Sequence, residues 1–172
     1  GNGRCNLTNE HAGPAHYHGE RPEFCRYALA QYPAAETLTW FATMGLETVT
    51  EADGRVYPRT NTANSVLDVL RTALARYEGM TLLTGDPVSA VKHKNGVFSC
   101  TLESGADAQS SRLVLACGGA AGSKVGGVMD GYRFAKALGH HRTALYPALV
   151  QIKTDPAYPR ALKGVKAECS IA

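Results

Sequence analysis

Apolar side chains recur with helical spacing in three stretches of the first half of the chain. Residues 23–31 and 33–44 each place apolar side chains at i, i+3 and i+4, and the most regular stripe lies in residues 65–77. Thr62 or Asn64 is suited to cap the third helix, because either side chain can accept a hydrogen bond from an exposed backbone N–H. The pattern predicts three amphipathic helices whose apolar faces pack into a core.

Short runs of β-branched and aromatic residues are separated by dipeptides that favour tight turns. Asp53-Gly54 lies between the first two runs and Asn95-Gly96 between the second two, and both dipeptides suit the turns that connect antiparallel strands. The sequence therefore predicts two hairpins, formed by residues 46–51 with 55–58 and by residues 88–94 with 97–103. Further short strands are expected at 80–84 and 148–152, with a polar loop at 104–111.

The stretch from residue 112 to residue 138 combines an apolar run with two glycine-rich loops. Residues 113–116 (LVLA) have the composition of a strand buried on both faces, and Cys117-Gly118-Gly119 follows directly. A second loop, residues 126–131, leads into a predicted helix at 132–138. This order is typical of the crevice at the carboxyl edge of a parallel sheet, where nucleotide cofactors bind. We therefore expect an α/β fold with a parallel sheet, although glycine turns that serve packing alone are an alternative.

Length and composition narrow the classes of protein to which the chain can belong. At 172 residues it can bury the core of one domain, and its net charge of +3 includes no run of lysine or arginine. We therefore expect no nucleic-acid partner, and no membrane partner, because no apolar run approaches the roughly 20 residues of a membrane helix. The five cysteines include no C-x-x-C pair and no signal peptide is evident, so a reduced, cytoplasmic protein is expected.

Two polar segments near the start contain candidate ligand-binding groups. Residues 1–9 (GNGRCNLTN) are rich in glycine and hydrogen-bond donors, so they could present backbone N–H groups to a phosphate, with Arg4 as a charge partner. A frayed terminus is the alternative. His11, His16 and His18 lie close together in sequence, but no helix or carboxylate fixes their geometry, so we predict no metal site.

Cys5 and Cys117 lie in the two glycine-rich segments, where a thiol could take part in redox chemistry. Neither has a partner cysteine nearby in sequence, and buried structural cysteines are common. The sequence therefore leaves the catalytic residue unassigned.

Three sets of motifs together resemble a known family. They are GNGRCNLTN at 1–9, GRVYP at 54–58, and LACGG at 115–119 with GGVMDGYRFAKALGH at 126–140 and YPALV at 146–150. In order and spacing they resemble the aminoacetone-oxidase-like (BaiN-type) bacterial flavoproteins, which are NAD(P)/FAD-dependent oxidoreductases. The GRCN–TN pair is the specific part of the resemblance, whereas A-x-G-G is shared by many flavoproteins.

The resemblance implies a Rossmann-like FAD-binding domain with a β-ribbon insertion, in an enzyme that transfers hydride between flavin and a small organic substrate or NAD(P)H. By the same resemblance, the residues that contact FAD are Gly1, Asn2, Gly3, Arg4, Cys5 and Asn6 at the flavin or pyrophosphate, Val88 near the adenine, Ala116, Cys117, Gly118 and Gly119 on the nucleotide, and Asp130. The alternative is a nucleotide-binding or structural fragment with no catalytic activity of its own.

The chain also departs from the family pattern. It has no G-x-G-x-x-G, and Val128-Met129 stands where the family has Thr-Gly. We therefore interpret it as an internal fragment, with residues 1–152 as a partial FAD-binding domain and residues 153–172 as a linker or the start of a second domain. An incomplete parallel sheet exposes a strand edge, so a homodimer or aggregation across that edge is expected.

Overall fold

The computed structural model describes residues 3–122, 124, 126–147 and 153–165. Its elements are β1 (Thr8–Asn9), α1 (Arg26–Gln31), α2 (Ala34–Thr43), β2 (Thr48–Thr50), β3 (Arg55–Pro58), α3 (Ala63–Ala75), β4 (Val88–Lys94), β5 (Val97–Leu102), β6 (Asp107–Ser110), α4 (Asp130–Ala137) and α5 (Ala157–Ala161). A 3-10 turn, Pro22–Cys25, leads directly into α1. The predicted helices and both predicted hairpins are confirmed, with ends shifted by at most three residues. Within the described part, no helix has both the length and the apolar character needed to cross a bilayer.

The first sheet has the strand order β1-β3-β2, and both of its strand pairs are antiparallel. Its central strand β3 carries Val56, which is fully buried, and α3 packs on that strand through Ala63 and Val66. The Thr62 side chain accepts a hydrogen bond from the Asn64 backbone N–H at 3.4 Å, so the predicted cap at the start of α3 is confirmed. This sheet and α3 form the first of two small cores.

Gly54 occupies the turn between β2 and β3 at a φ of +81°, a conformation that side chains with a Cβ rarely adopt. A Cβ at this position would lie 2.6 Å from the His11 ring and 2.7 Å from the Asn9 side-chain oxygen. The Asn9 side chain cannot easily move away, because its amide donates to the Asp53 carbonyl and its oxygen accepts from the His11 N–H. Glycine is therefore required here both by the backbone angle and by the lack of space.

We expect Gly54→Ala to lower the free energy of unfolding by about 1 to 2 kcal/mol more than Gly79→Ala does. Gly79 has the same φ of +81° but no atom within 4 Å of the added Cβ, so it reports the cost of backbone strain alone. Urea denaturation followed by circular dichroism measures both variants. Equal losses in the two variants would contradict the steric part of this explanation.

The second sheet has the order β4-β5-β6 and forms a three-stranded antiparallel ribbon. Asn95 and Gly96 both have positive φ, at 52° and 77°, which confirms the predicted two-residue turn. The predicted loop at 104–111 is wrong, because residues 107–110 pair with β5 as the strand β6. Gly105, at a φ of +87°, permits the tight turn that precedes β6, and all four residues of β6 are exposed, so their polar character did not indicate a strand.

The start of the ribbon is fixed by Asp86. Its carboxylate accepts hydrogen bonds from both the backbone N–H and the hydroxyl of Ser104. These bonds stabilise the charged carboxylate and so lower the pKa of Asp86 below its ordinary value. The turn before β4 is thereby tied to the turn after β5.

Helix α4 covers one face of the ribbon and forms the second small core. Phe134 on α4 and Val91 on β4 are almost completely buried, at 4% and 5% exposed. The Arg133 guanidinium donates to the Ser89 carbonyl at 2.6 Å and to the Asp130 carboxylate at 3.0 Å. The ribbon and α4 are thus joined by apolar packing and by a charged hydrogen bond.

The predicted parallel sheet is not seen among the described residues, where every paired strand is antiparallel. Residues 113–116 and 80–84 form no strand, and Val114 is 85% exposed, so these two strand predictions are wrong. A buried strand requires hydrogen-bonding neighbours, and no described residue supplies them to either run. The predicted strand at 148–152 lies outside the described residues. The fold is therefore mixed α/β, with two small antiparallel sheets.

Much of the apolar surface of the chain stays in contact with water. On α1 and the turn before it, Phe24 is 92% exposed and Tyr27 is 76% exposed, so the prediction that this helix contributes to the core is wrong. Periodicity gave the correct helix here, but this helix has little to pack against.

Candidate cofactor site

Residues 3–6 form a loop, the first glycine corner, that is held at both of its ends. The Gly3 carbonyl accepts a hydrogen bond from the Ala63 N–H at 2.7 Å, and the N–H of Leu7 donates to the Val56 carbonyl at 2.8 Å. Between these points Cys5 has a φ of +63°, which is uncommon for a residue other than glycine. The loop therefore lies across the start of α3 and the edge of β3 in a defined, bent conformation.

The Arg4 side chain turns away from its own loop and toward the first hairpin. Its terminal nitrogen lies 2.6 Å from a Glu51 carboxylate oxygen, and its Nε donates to the Asn61 side-chain oxygen. Its guanidinium also stacks 3.9 Å from the centre of the Tyr57 ring. The role of Arg4 as a charge partner for phosphate stays a prediction, and in this structure three side chains already contact the guanidinium.

The backbone N–H groups of this loop point to a different use. Among the described residues, none accepts a hydrogen bond from the N–H of Arg4, Cys5 or Asn6. Successive free N–H groups around a left-handed residue form a concavity that binds anions. The loop can therefore donate hydrogen bonds to a phosphate through its main chain.

The second glycine corner, residues 116–119, lies against the start of α4. Gly131 in the first turn of α4 comes so close that an added Cβ would lie 3.4 Å from Cys117. Gly118 has a φ of +75° and faces open space, and the Gly119 carbonyl accepts from the Val128 N–H at 3.1 Å. No described residue accepts a hydrogen bond from the N–H of Cys117, Gly118 or Gly119. Here too, unpaired main-chain donors lie beside a surface that a ligand can approach.

Asp130 and Val88 belong to the same part of the molecule as this second corner. Asp130 is the first residue of α4, and its carboxylate pairs with Arg133, which also bonds to Ser89. Val88 begins β4 next to Ser89 and is half-buried. The structure thus places Cys117 and Asp130 at the first turn of α4, and Arg133 of that helix bonds to Ser89, the neighbour of Val88. Their contacts with a cofactor stay a prediction.

The first glycine corner is bonded to the first core, whereas the second lies against α4 of the second core. No hydrogen bond or ion pair between described residues joins residues 3–85 to residues 86–165. Gly1 and Asn2, which complete the first predicted loop, lie outside the described residues.

Two residues that hold the Arg4 side chain of the first corner were not predicted from the sequence. The Glu51 carboxylate lies between two arginines, 2.6 Å from Arg4 and 3.5 Å from Arg55. The Asn61 side chain accepts a hydrogen bond from Arg4, and its backbone is left-handed, at a φ of +58°. Asp53, which pairs with Arg55 at 2.6 Å, is the main reason that the pKa of Arg55 is raised above its ordinary value. The position of Asn61 directly before the helix cap was the one local signal for its unusual backbone.

The histidines of the N-terminal third do not converge with other ligands. His11 lies against Gly54, and His16 ends a 3-10 turn at Pro14–His16. In the part of the chain that the structure describes, no group of three or more His, Cys, Asp or Glu side chains could hold a metal ion. The described geometry therefore offers main-chain donors and arginines rather than metal ligands.

Comparison with known proteins identifies relatives along almost the whole chain. The profile of the HI0933-like protein Rossmann domain matches residues 1–167. The chain is 40% identical over all 172 residues to the 3-dehydro-bile acid delta(4,6)-reductase of Clostridium scindens, of which it covers 41%. It is 26% identical to the ribosomal RNA dihydrouridine synthase of Haemophilus influenzae, over 81% of this chain and 35% of that protein. The chain thus spans about two fifths or less of the length of these relatives.

Proposed function

The chain belongs to the HI0933-like protein Rossmann-domain family, as its motifs predicted, and on this basis we propose that it forms part of the FAD site of a flavin-dependent oxidoreductase. The observation that carries the proposal is the pair of glycine corners with unpaired main-chain donors, at residues 4–6 and 117–119. Phosphate oxygens are the natural acceptors for such groups. A dinucleotide carries two phosphates and an adenine, so it can accept hydrogen bonds from more than one set of main-chain donors.

The residues present fit such a cofactor. The N–H groups of Arg4, Cys5 and Asn6 would donate to the pyrophosphate, and the open face at Gly118 lets a nucleotide approach the main chain. The backbone of Val88, at the start of the ribbon, would lie near the adenine. When bound, FAD supplies the hydride chemistry, while the protein binds and orients it.

The substrate that we propose is a small organic molecule, with NAD(P)H as the candidate reductant. The relative with the higher identity is named as a bile acid reductase, and this supports reduction of an apolar organic substrate. The relatives named as ribosomal RNA dihydrouridine synthases share 26% and 27% identity with this chain. The net charge of +3 without a basic run also favours the small-molecule substrate over RNA.

A second candidate is a nucleotide-binding unit without catalysis of its own. It is favoured by the same free N–H groups, which account for binding a phosphate but provide no group that takes or gives a proton. The two candidates make different predictions for turnover and the same prediction for ADP binding.

Titration of this chain with FAD, followed by flavin fluorescence, tests the proposal. We expect saturable binding at one FAD per chain, competition by ADP, and FMN binding at least about tenfold weaker, because FMN lacks the adenine and the second phosphate. FMN that binds as tightly as FAD would contradict the assigned contacts. ADP binding with no reduction of bound FAD by NADPH or NADH would favour the second candidate.

A further inference from the structure

Arg4 joins its loop to three other parts of the first core. Glu51 lies after β2, Tyr57 lies within β3, and Asn61 lies before α3, and each contacts the Arg4 guanidinium. Tyr57 is buried at 7% exposed, so the stacked guanidinium rests on a rigid surface. Hydrogen bonds from the edge of a guanidinium, together with stacking on its face, fix the direction of an arginine side chain.

The charge of Arg4 is compensated within the protein. The Glu51 carboxylate lies at 2.6 Å and occupies one terminal nitrogen, while Nε is occupied by Asn61. An arginine whose main role is to pair with a ligand phosphate would keep its charge available for that ligand. The main-chain N–H of the same residue, in contrast, donates no hydrogen bond to any described residue.

The loop conformation that these N–H groups require is costly. Cys5 sits at a φ of +63° without being glycine, and such strain persists only where the surrounding structure holds it. The contacts of Arg4, the residue directly before Cys5, can supply that constraint. Resting on the proposed FAD-binding function, we propose that Arg4 is a positioning residue. Its side chain clamps residues 3–6 to the first hairpin, and only its main chain meets the phosphate.

The test compares Arg4→Gln, Glu51→Gln and the double variant by titration of the folded chain with ADP and FAD. We expect each single change to weaken binding about tenfold and the double variant to be no weaker than either single change, because both remove the same clamp. Glu47→Gln and Arg59→Gln are matched controls. They break an exposed ion pair of 3.0 Å that flanks the same sheet and includes no contact of Arg4, and they leave affinity unchanged.

Direct phosphate pairing by Arg4 predicts the opposite response to Glu51→Gln. Freeing the guanidinium from Glu51 would then strengthen ADP binding or leave it unchanged, and this result would overturn the proposal. A role in stability alone would lower the free energy of unfolding in both variants while leaving the ADP affinity of the folded chain as it was. That result would overturn it as well.

Hydrogen exchange separates failure of this proposal from failure of the proposed function. The N–H groups of Ala63 and Leu7 are bonded across the two ends of the loop, to Gly3 and Val56. The clamp predicts faster exchange at both in Arg4→Gln and in Glu51→Gln, and no change in Arg59→Gln, with no ligand present. A wild-type chain that binds neither ADP nor FAD would refute the proposed function. Unchanged exchange in Arg4→Gln would refute the clamp.

Discussion

Replacing Phe134 by alanine is expected to lower the free energy of unfolding by about 3 to 5 kcal/mol, the largest effect of any single substitution considered. Phe134 is 4% exposed and is the one large apolar side chain of α4 that is buried in the described part of the chain. Its loss leaves a cavity beside Val91 on β4, which is itself only 5% exposed. The packing between α4 and the ribbon should be lost first.

Urea denaturation measures this effect, with Lys136→Ala as the control on the same helix. Lys136 is exposed, so its replacement removes no buried surface and should change stability by less than about 0.5 kcal/mol. Exchange of the β4 and β5 amides shows where the loss occurs. A Phe134→Ala chain as stable as the Lys136→Ala chain would show that α4 does not hold the ribbon in the way described.

Replacing Gly127 by alanine is expected to weaken FAD binding about 100-fold. A Cβ at this position would lie 2.1 Å from the Ala121 carbonyl oxygen and 2.7 Å from the carbon of the same group. These are main-chain atoms, so no side-chain rotation relieves the overlap, and the loop that leads from the second glycine corner to α4 must rebuild. A cost of about 3 kcal/mol corresponds to a loss of this size.

Gly126→Ala is the control for this change. Gly126 has a φ of +100°, so alanine is strained there, but no atom lies within 4 Å of the added Cβ. We expect a loss of affinity of about fivefold or less for Gly126→Ala, from strain alone. Fluorescence titration with FAD compares the two variants. Equal affinities in Gly127→Ala and wild type would place this loop outside the cofactor site.

The elements that local sequence determines were predicted well. Asn95-Gly96 forces a two-residue turn whatever lies elsewhere, because both residues tolerate a positive φ. Thr62 caps α3 through a bond to the backbone two residues later, which is also a local interaction. The run at 113–116 failed because a strand depends on hydrogen bonds from distant residues, and the run's own composition cannot supply them.

The candidate site shows the same division between local and distant information. The glycine corners were identified from sequence, because glycine reports local backbone requirements such as the positive φ of Gly118. The partners of Arg4 were not predicted. Glu51 and Asn61 lie 47 and 57 positions away, and nothing in the sequence distinguishes them from other exposed acids and amides that could bond to an arginine. Only the pairing of β1 with β3 brings these side chains together.

The pairing registers of the two sheets also bear on the order in which they assemble. Val97 pairs with Lys94 across a two-residue turn, whereas Thr8 must find Val56, 48 positions further along. A hairpin with a short turn forms in microseconds. Closing a longer loop loses more chain entropy before any stabilising contact forms. In a refolding experiment, the β4–β5 hairpin should therefore gain protection early. The strand that follows the Arg4 loop should join last, so refolding chains pass through a stage in which the ribbon is present and the phosphate loop is still unformed.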